Sequence, residues 1–164
     1  MIWVDNNILS TFTRVSAMDL LFILFSRQQL GLTPAVRGEM LEAIEQGCAW
    51  LRDIVRLIES GRLQLVALTP EELLATATLP DSFGDGERKC VAVCQTRDWP
   101  FLTNDKRARN YCQQTGVEAY DLAGLLRTLW ESGLKSKRFV RQLADRMEAA
   151  EGMAIKNKEA IFRK

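Results

Sequence analysis

Histidine is missing from all 164 residues. That absence excludes imidazole acid–base catalysis, Ser-His-Asp triads and Cys-His dyads. If the chain is an enzyme at neutral pH, carboxylates, lysines or a bound metal must do the work. Cysteine is scarce and poorly spaced for a metal: Cys48, Cys90, Cys94 and Cys112 form no C-x-x-C pair, and no histidine completes a zinc set. Cys90 and Cys94 lie one helical turn apart in an apolar run, which reads as core packing. Long hydrophobic runs are lacking too. The longest apolar patch, Leu20–Phe25, falls far short of the ~20 residues that span a bilayer. Asp5 interrupts the apolar start, so no signal peptide is expected. The expectation is a reduced, cytoplasmic compartment and no membrane partner.

Net charge is also nearly absent, at +1. A global electrostatic footprint for nucleic acid is therefore excluded, and any such binding must be local. The charge is unevenly spread. Residues 135–164 hold nine Lys or Arg against four Asp or Glu, a net +5, leaving 13 against 17, or −4, for residues 1–134. A basic C-terminal segment on an acidic body suits a cation site beside a polyanion-binding surface; a solvated amphipathic helix reads the same way.

What is present is an alternation of short apolar runs with helical patterns. Ile2–Val4 reads as a buried strand, followed by a helix over 6–14 capped by Asp5 or Asn6. Ser16 is placed as the cap of a helix over 17–29 ended by Gly31. Residues 32–34 read as no more than a strand stub. Pro34 opens a helix over 34–46 whose stripe is Val36, Met40, Ala43 and Ile44, with Glu39 at its edge. A helix over 48–60 follows. Residues 63–68 form the clearest strand, and Thr69-Pro70-Glu71-Glu72 is a strong helix start. Further helices are expected over 70–77, 86–96, 106–115, 121–132, 135–150 and 152–164, with strands at 101–103 and 117–120. No repeat or linker is visible. The pattern predicts one α/β domain of small parallel sheet flanked by helices.

In such sheets ligands bind beyond the carboxyl ends of the strands, where strand order reverses. Asp5 and Asp105 both follow strands. Gly84-Asp85-Gly86-Glu87 brings two acids into the first turn of a helix. Each acid alone has an ordinary explanation, as a helix cap or a complement to the helix dipole. Converging carboxylates would repel one another without a cation, and hard divalent ions favour oxygen ligands. Their joint placement reads as a metal site.

Asp5-Asn6-Asn7-Ile8-Leu9, the lone Glu39, Gly84-Asp85-Gly86-Glu87, and Thr103-Asn104-Asp105 with Arg107-Ala108-Arg109 together resemble the PIN-domain family. The likeness is to its bacterial and archaeal branch with a G-x-G-E motif and a T-N/D-D-x-x-A-R segment, and it runs over about residues 1–134. The resemblance implies an α/β/α nuclease domain over 1–134, with 135–164 a basic helical extension outside it. It implies an Mg²⁺- or Mn²⁺-dependent endoribonuclease in which Asp5, Glu39, Glu87 and Asp105 are catalytic metal ligands. Asn7 or Asn6 would support the first aspartate, and Thr103 the last. Asp85 is an additional acid beside Glu87. Arg107 and Arg109 would contact RNA phosphates. Members of the family include VapC-type toxins, which implies an antitoxin partner and a homodimer. A further reading is a plain protein-interaction domain in which exposed Phe12, Phe22 and Phe25 of the early helices form a dimer or antitoxin interface. Asn104 stands where a further aspartate is common, and Arg88-Lys89 where small apolar residues are typical. The alternative is a catalytically weak PIN-like module that acts by binding nucleic acid or protein.

Overall fold

Ile2-Trp3-Val4 is too apolar and too short to be anything but a covered strand, and all three residues are buried. In the computed structural model, which describes residues 1–163, this strand (β1) is the centre of a five-stranded, wholly parallel sheet. Its neighbours are β2 (Leu30–Leu32) and β4 (Phe101–Leu102), with β3 (Leu63–Leu65) and β5 (Ala119–Tyr120) at the edges, in the order β3-β2-β1-β4-β5. Strand order reverses between β1 and β4.

Parallel neighbours require crossovers, and helices supply them. α1 (Asn6–Arg14) and α2 (Met18–Leu24) join β1 to β2. α3 (Pro34–Glu45), a single 3₁₀ turn and α4 (Arg52–Glu59) join β2 to β3. α5 (Pro70–Thr76) and α6 (Asp85–Arg97) carry the chain back to β4, and α7 (Lys106–Gln114) joins β4 to β5. α8 (Leu122–Glu131), α9 (Lys137–Glu151) and the short α10 (Lys158–Ile161) complete the chain. Right-handed connections put α1–α4 and α5–α7 on opposite faces. Among the described residues, no helix is long and apolar enough to cross a membrane.

Several local expectations change. The helix over 17–29 stops at Leu24, because Leu30-Gly31-Leu32 are taken into the sheet between β1 and β3. Gly31 is a strand residue, not a helix stop: a Cβ there would lie 2.7 Å from Met1 Sδ and 3.2 Å from the Trp3 ring. Ser16 does not cap α2; it takes a left-handed conformation (φ 54°) and Ala17 precedes the helix without a side-chain bond. Residues 66–68 leave the strand, and the final segment is a loop over 152–157 before α10, with Lys164 outside the described residues. Finally, Phe12 is fully buried, and Phe22 and Phe25 pack against the core, so these three do not form an exposed face.

The C-terminal segment shares this core. Val140, Leu143, Ala144 and Met147 of α9 are buried where it packs on α1 and α8. Arg14 Nη1 donates to Ala150 O at 2.9 Å, and Trp130 Nε1 to Ile161 O at 3.0 Å. Cys90, Cys94 and Cys112 are free and buried in the core, as the apolar spacing predicts.

Candidate functional site

Asp5 follows the last residue of β1, and its backbone N–H still pairs with Leu102 O of β4 at 2.9 Å. The side chain therefore sits at the strand-order reversal, beside Thr103. It caps α1 by accepting from Asn6 N at 2.7 Å through Oδ1. Oδ2 accepts from Asn7 Nδ2 at 2.6 Å and Thr103 Oγ1 at 2.9 Å. Only 9% of the residue is exposed. Burial pushes its carboxyl up to about 6; the Thr103 and Asn6 hydrogen bonds oppose this, and the charges of Glu87 and Glu39 add to it.

Asn7 is a clamp. Its Nδ2 donates to Asp5 while its Oδ1 accepts from Asn104 N at 3.0 Å, tying α1 to the loop after β4. Asn6 plays another part, accepting from Ser10 Oγ at 3.1 Å. Thr103 Oγ1 also accepts from Asp105 N at 3.1 Å. Asp105 caps α7, taking Arg107 N at 2.7 Å and Ala108 N at 2.9 Å on one oxygen, Oδ1.

Glu87 lies in the first turn of α6, and its Oε2 accepts from Gly84 N at 3.0 Å. Glu39, exposed on α3, reaches toward that same turn. A Cβ on Gly86 would lie 2.7 Å from Glu39 Oε1, so the glycine permits this approach. The second glycine of G-x-G-E thus has a contact reason, since its backbone lies within the α6 helix and needs no positive φ. Glu39 is itself pushed above its ordinary value by partial burial, then by Asp85, Glu42 and Glu87, with Lys89 opposing. Asp85 is exposed and ion-paired to Lys89.

Asp5, Glu39 and Glu87 thus feel one another's charge, and hydrogen bonds through Thr103 link Asp5 to Asp105. All four offer the hard oxygen donors that Mg²⁺ or Mn²⁺ takes, and such ions retain several waters. The donor chemistry fits such an ion. Among the described residues, however, no three acidic or cysteine side chains are gathered tightly enough to enclose one by themselves.

The two arginines differ. Arg107 is largely exposed, with Nε 4.0 Å from Asp105 Oδ1. Arg109 is mostly covered and paired to Asp121 at 3.2 Å. Beside Asn7 and Asn104 opens a cavity of about 440 Å³, bounded by α1, α7, α8, α9 and the loop after α9. Lys106 and Lys156 line it together; the sequence places Lys156 in the basic C-terminal segment, but nothing in spacing shows that residues 50 apart share a rim.

A family model described as a PIN domain matches residues 1–161, including the C-terminal helices. No curated protein matches the chain.

Proposed function

The chain belongs to the PIN-domain family, and from that premise we propose that it is an endoribonuclease dependent on Mg²⁺ or Mn²⁺. Asp5, Glu39, Glu87 and Asp105 would hold the metal. The observation that carries this reading is Asp5: a carboxylate buried where strand order reverses, hydrogen-bonded on both oxygens, and facing two further acids. A buried acid with that company is unfavourable without a cation.

A bound divalent ion supplies activation of water and neutralisation of charge developing on a phosphodiester. The chain supplies the positioning. Asn7 and Thr103 fix the Asp5 carboxylate by direct hydrogen bonds, so it keeps one orientation. Gly84 N holds Glu87, and the backbone amides of α7 hold Asp105, leaving Asp105 Oδ2 outside those bonds. Arg107 offers an exposed charge to RNA phosphates, and Arg109 a weaker one because Asp121 shares it. Asp85, paired to Lys89, tunes Glu39 more than it ligates.

A catalytically weak module that binds nucleic acid or protein is the second reading, and the spacing of the acids favours it. An antitoxin partner and a homodimer belong to the first reading; the exposed Leu73 and Leu74 of α5 are a better surface for them than the covered phenylalanines. Incubation with single-stranded RNA separates the two readings. Cleavage that needs Mn²⁺, stops with EDTA and falls at least about a hundredfold in Asp5→Asn is expected of the nuclease. Cleavage unchanged in that variant would come from a contaminant and remove the support for activity.

A further inference from the structure

The cavity beside the acidic site has a property its composition hides. Three carboxylates line it, yet each is already committed within the chain. Asp121 caps α8 through Gly124 N at 2.8 Å and pairs with Arg109. Glu148 accepts from Ile155 N at 2.8 Å and pairs with Lys158. Glu151 accepts from Thr11 Oγ1 at 3.1 Å and lies 3.9 Å from Arg14 Nε. Lys106 and Lys156 also line it, are exposed, and make no ion pair among the described residues. The uncommitted charge of the cavity is therefore positive.

The walls from α8, α9 and the following loop are apolar, chiefly Leu122, Met147, Met153 and Ile155, while Asn7, Ser10, Thr11 and Asn104 form a polar side. The outer wall is built rather than loose. Gly152 turns the chain with a left-handed conformation (φ 67°), Glu148 holds Ile155, and Asn157 turns it again (φ 54°) into α10. Unpaired cations at the rim of an apolar slot match a group with one anionic end and one flat apolar end. A volume of about 440 Å³ lies within the roughly 300–1,000 Å³ of small-ligand sites and accommodates one nucleotide. The slot abuts the acidic site: Asn7 and Asn104 line it, and Asn7 also donates to Asp5.

We infer that this cavity is a nucleotide subsite, in which Lys106 and Lys156 bind the phosphate and the apolar wall from α8, α9 and the loop over 152–156 receives the base of a residue flanking the cleaved bond. The flanking role rests on the nuclease reading; the binding does not. The loop between α9 and α10 is then a specificity element.

The test is calorimetric titration of the full chain in EDTA with each ribonucleoside 5′-monophosphate, beside adenosine and inorganic phosphate alone. At least one monophosphate is expected to bind roughly tenfold more tightly than either fragment. The double variant Lys106→Ala/Lys156→Ala should weaken it about tenfold, and Ala154→Phe, which places a ring at an exposed wall position, should abolish it. Both variants are checked by unchanged unfolding midpoints. A monophosphate that binds no better than phosphate, or binding indifferent to Ala154→Phe, would overturn the inference. Binding without any Mn²⁺-dependent RNA cleavage would remove the nuclease reading and leave the subsite standing. Cleavage without monophosphate binding would do the reverse.

Discussion

Asp5 carries two demands that conflict. It is buried at the end of the central strand, and the proposed function requires it to be ionised to hold a cation. With no cation its folded-state carboxyl titrates at about 6, against 3.8 when unperturbed. A raised acid favours its neutral form in the folded protein. Its contribution to stability is therefore full below pH 3.8 and lost as pH rises through about 6. The loss is about 3 kcal/mol for a shift of this size. Comparing wild type with Asp5→Asn in urea, in EDTA, isolates it: the wild type's stability relative to the variant should fall by that order between pH 3.5 and pH 7.5. A difference that stays flat across this range would mean that Asp5 is not desolvated as described. With Asp5 as a ligand, as proposed, the same titration is expected to make Mn²⁺ affinity drop below pH 6.

At the scale of elements, α6 is held at both ends by acids that do different work. Its first turn meets Glu39 over Gly86. Gly86→Ala removes the space for Glu39 Oε1, the mobile end of a side chain, while adding helix propensity worth up to about 1 kcal/mol. The expected variant is folded, as stable as wild type or slightly more so, and weaker in Mn²⁺ binding. A variant that binds Mn²⁺ normally would take Glu39 out of the ligand set. The other end of α6 carries Arg97, whose Nε and Nη2 grip the buried Glu72 of α5 at 2.5 and 2.9 Å and hold its carboxyl below the ordinary value. Arg97→Met leaves that carboxylate unpaired and should cost about 3 kcal/mol in urea unfolding, without altering Mn²⁺ binding. The capping box that positions Glu72 is legible in Thr69-Pro70-Glu71-Glu72; its half-buried partner 25 residues away is not. The same division runs through the chain. Proline starts, acidic first turns and the Ile2–Val4 run are local signals and mark their elements well. β2 was missed because Leu30–Leu32 becomes a strand only through pairing on both sides. The individual acids of the candidate site were visible, whereas the Asn7 clamp and the Glu39–Gly86 approach belong to tertiary structure.

In the whole molecule, the sheet brings the ends of β1 and β4 together at the point where strand order reverses. The caps of α1 and α7 place Asp5 and Asp105 there, with Glu87 from the first turn of α6 close enough to act on Asp5. The C-terminal helices bury their apolar face against α1 and α8 and close one side of the neighbouring cavity, so the segment with the basic excess stands next to the acidic face. The nuclease reading depends on one claim, that the acidic face binds a divalent cation. The direct test is a calorimetric titration of Mn²⁺ into the wild type and into Asp5→Asn and Asp105→Asn at pH 7.5. The account predicts saturable binding in the wild type, weakened at least about tenfold in each variant. Saturable binding that is equal in all three proteins, or none in the folded wild type, would contradict it.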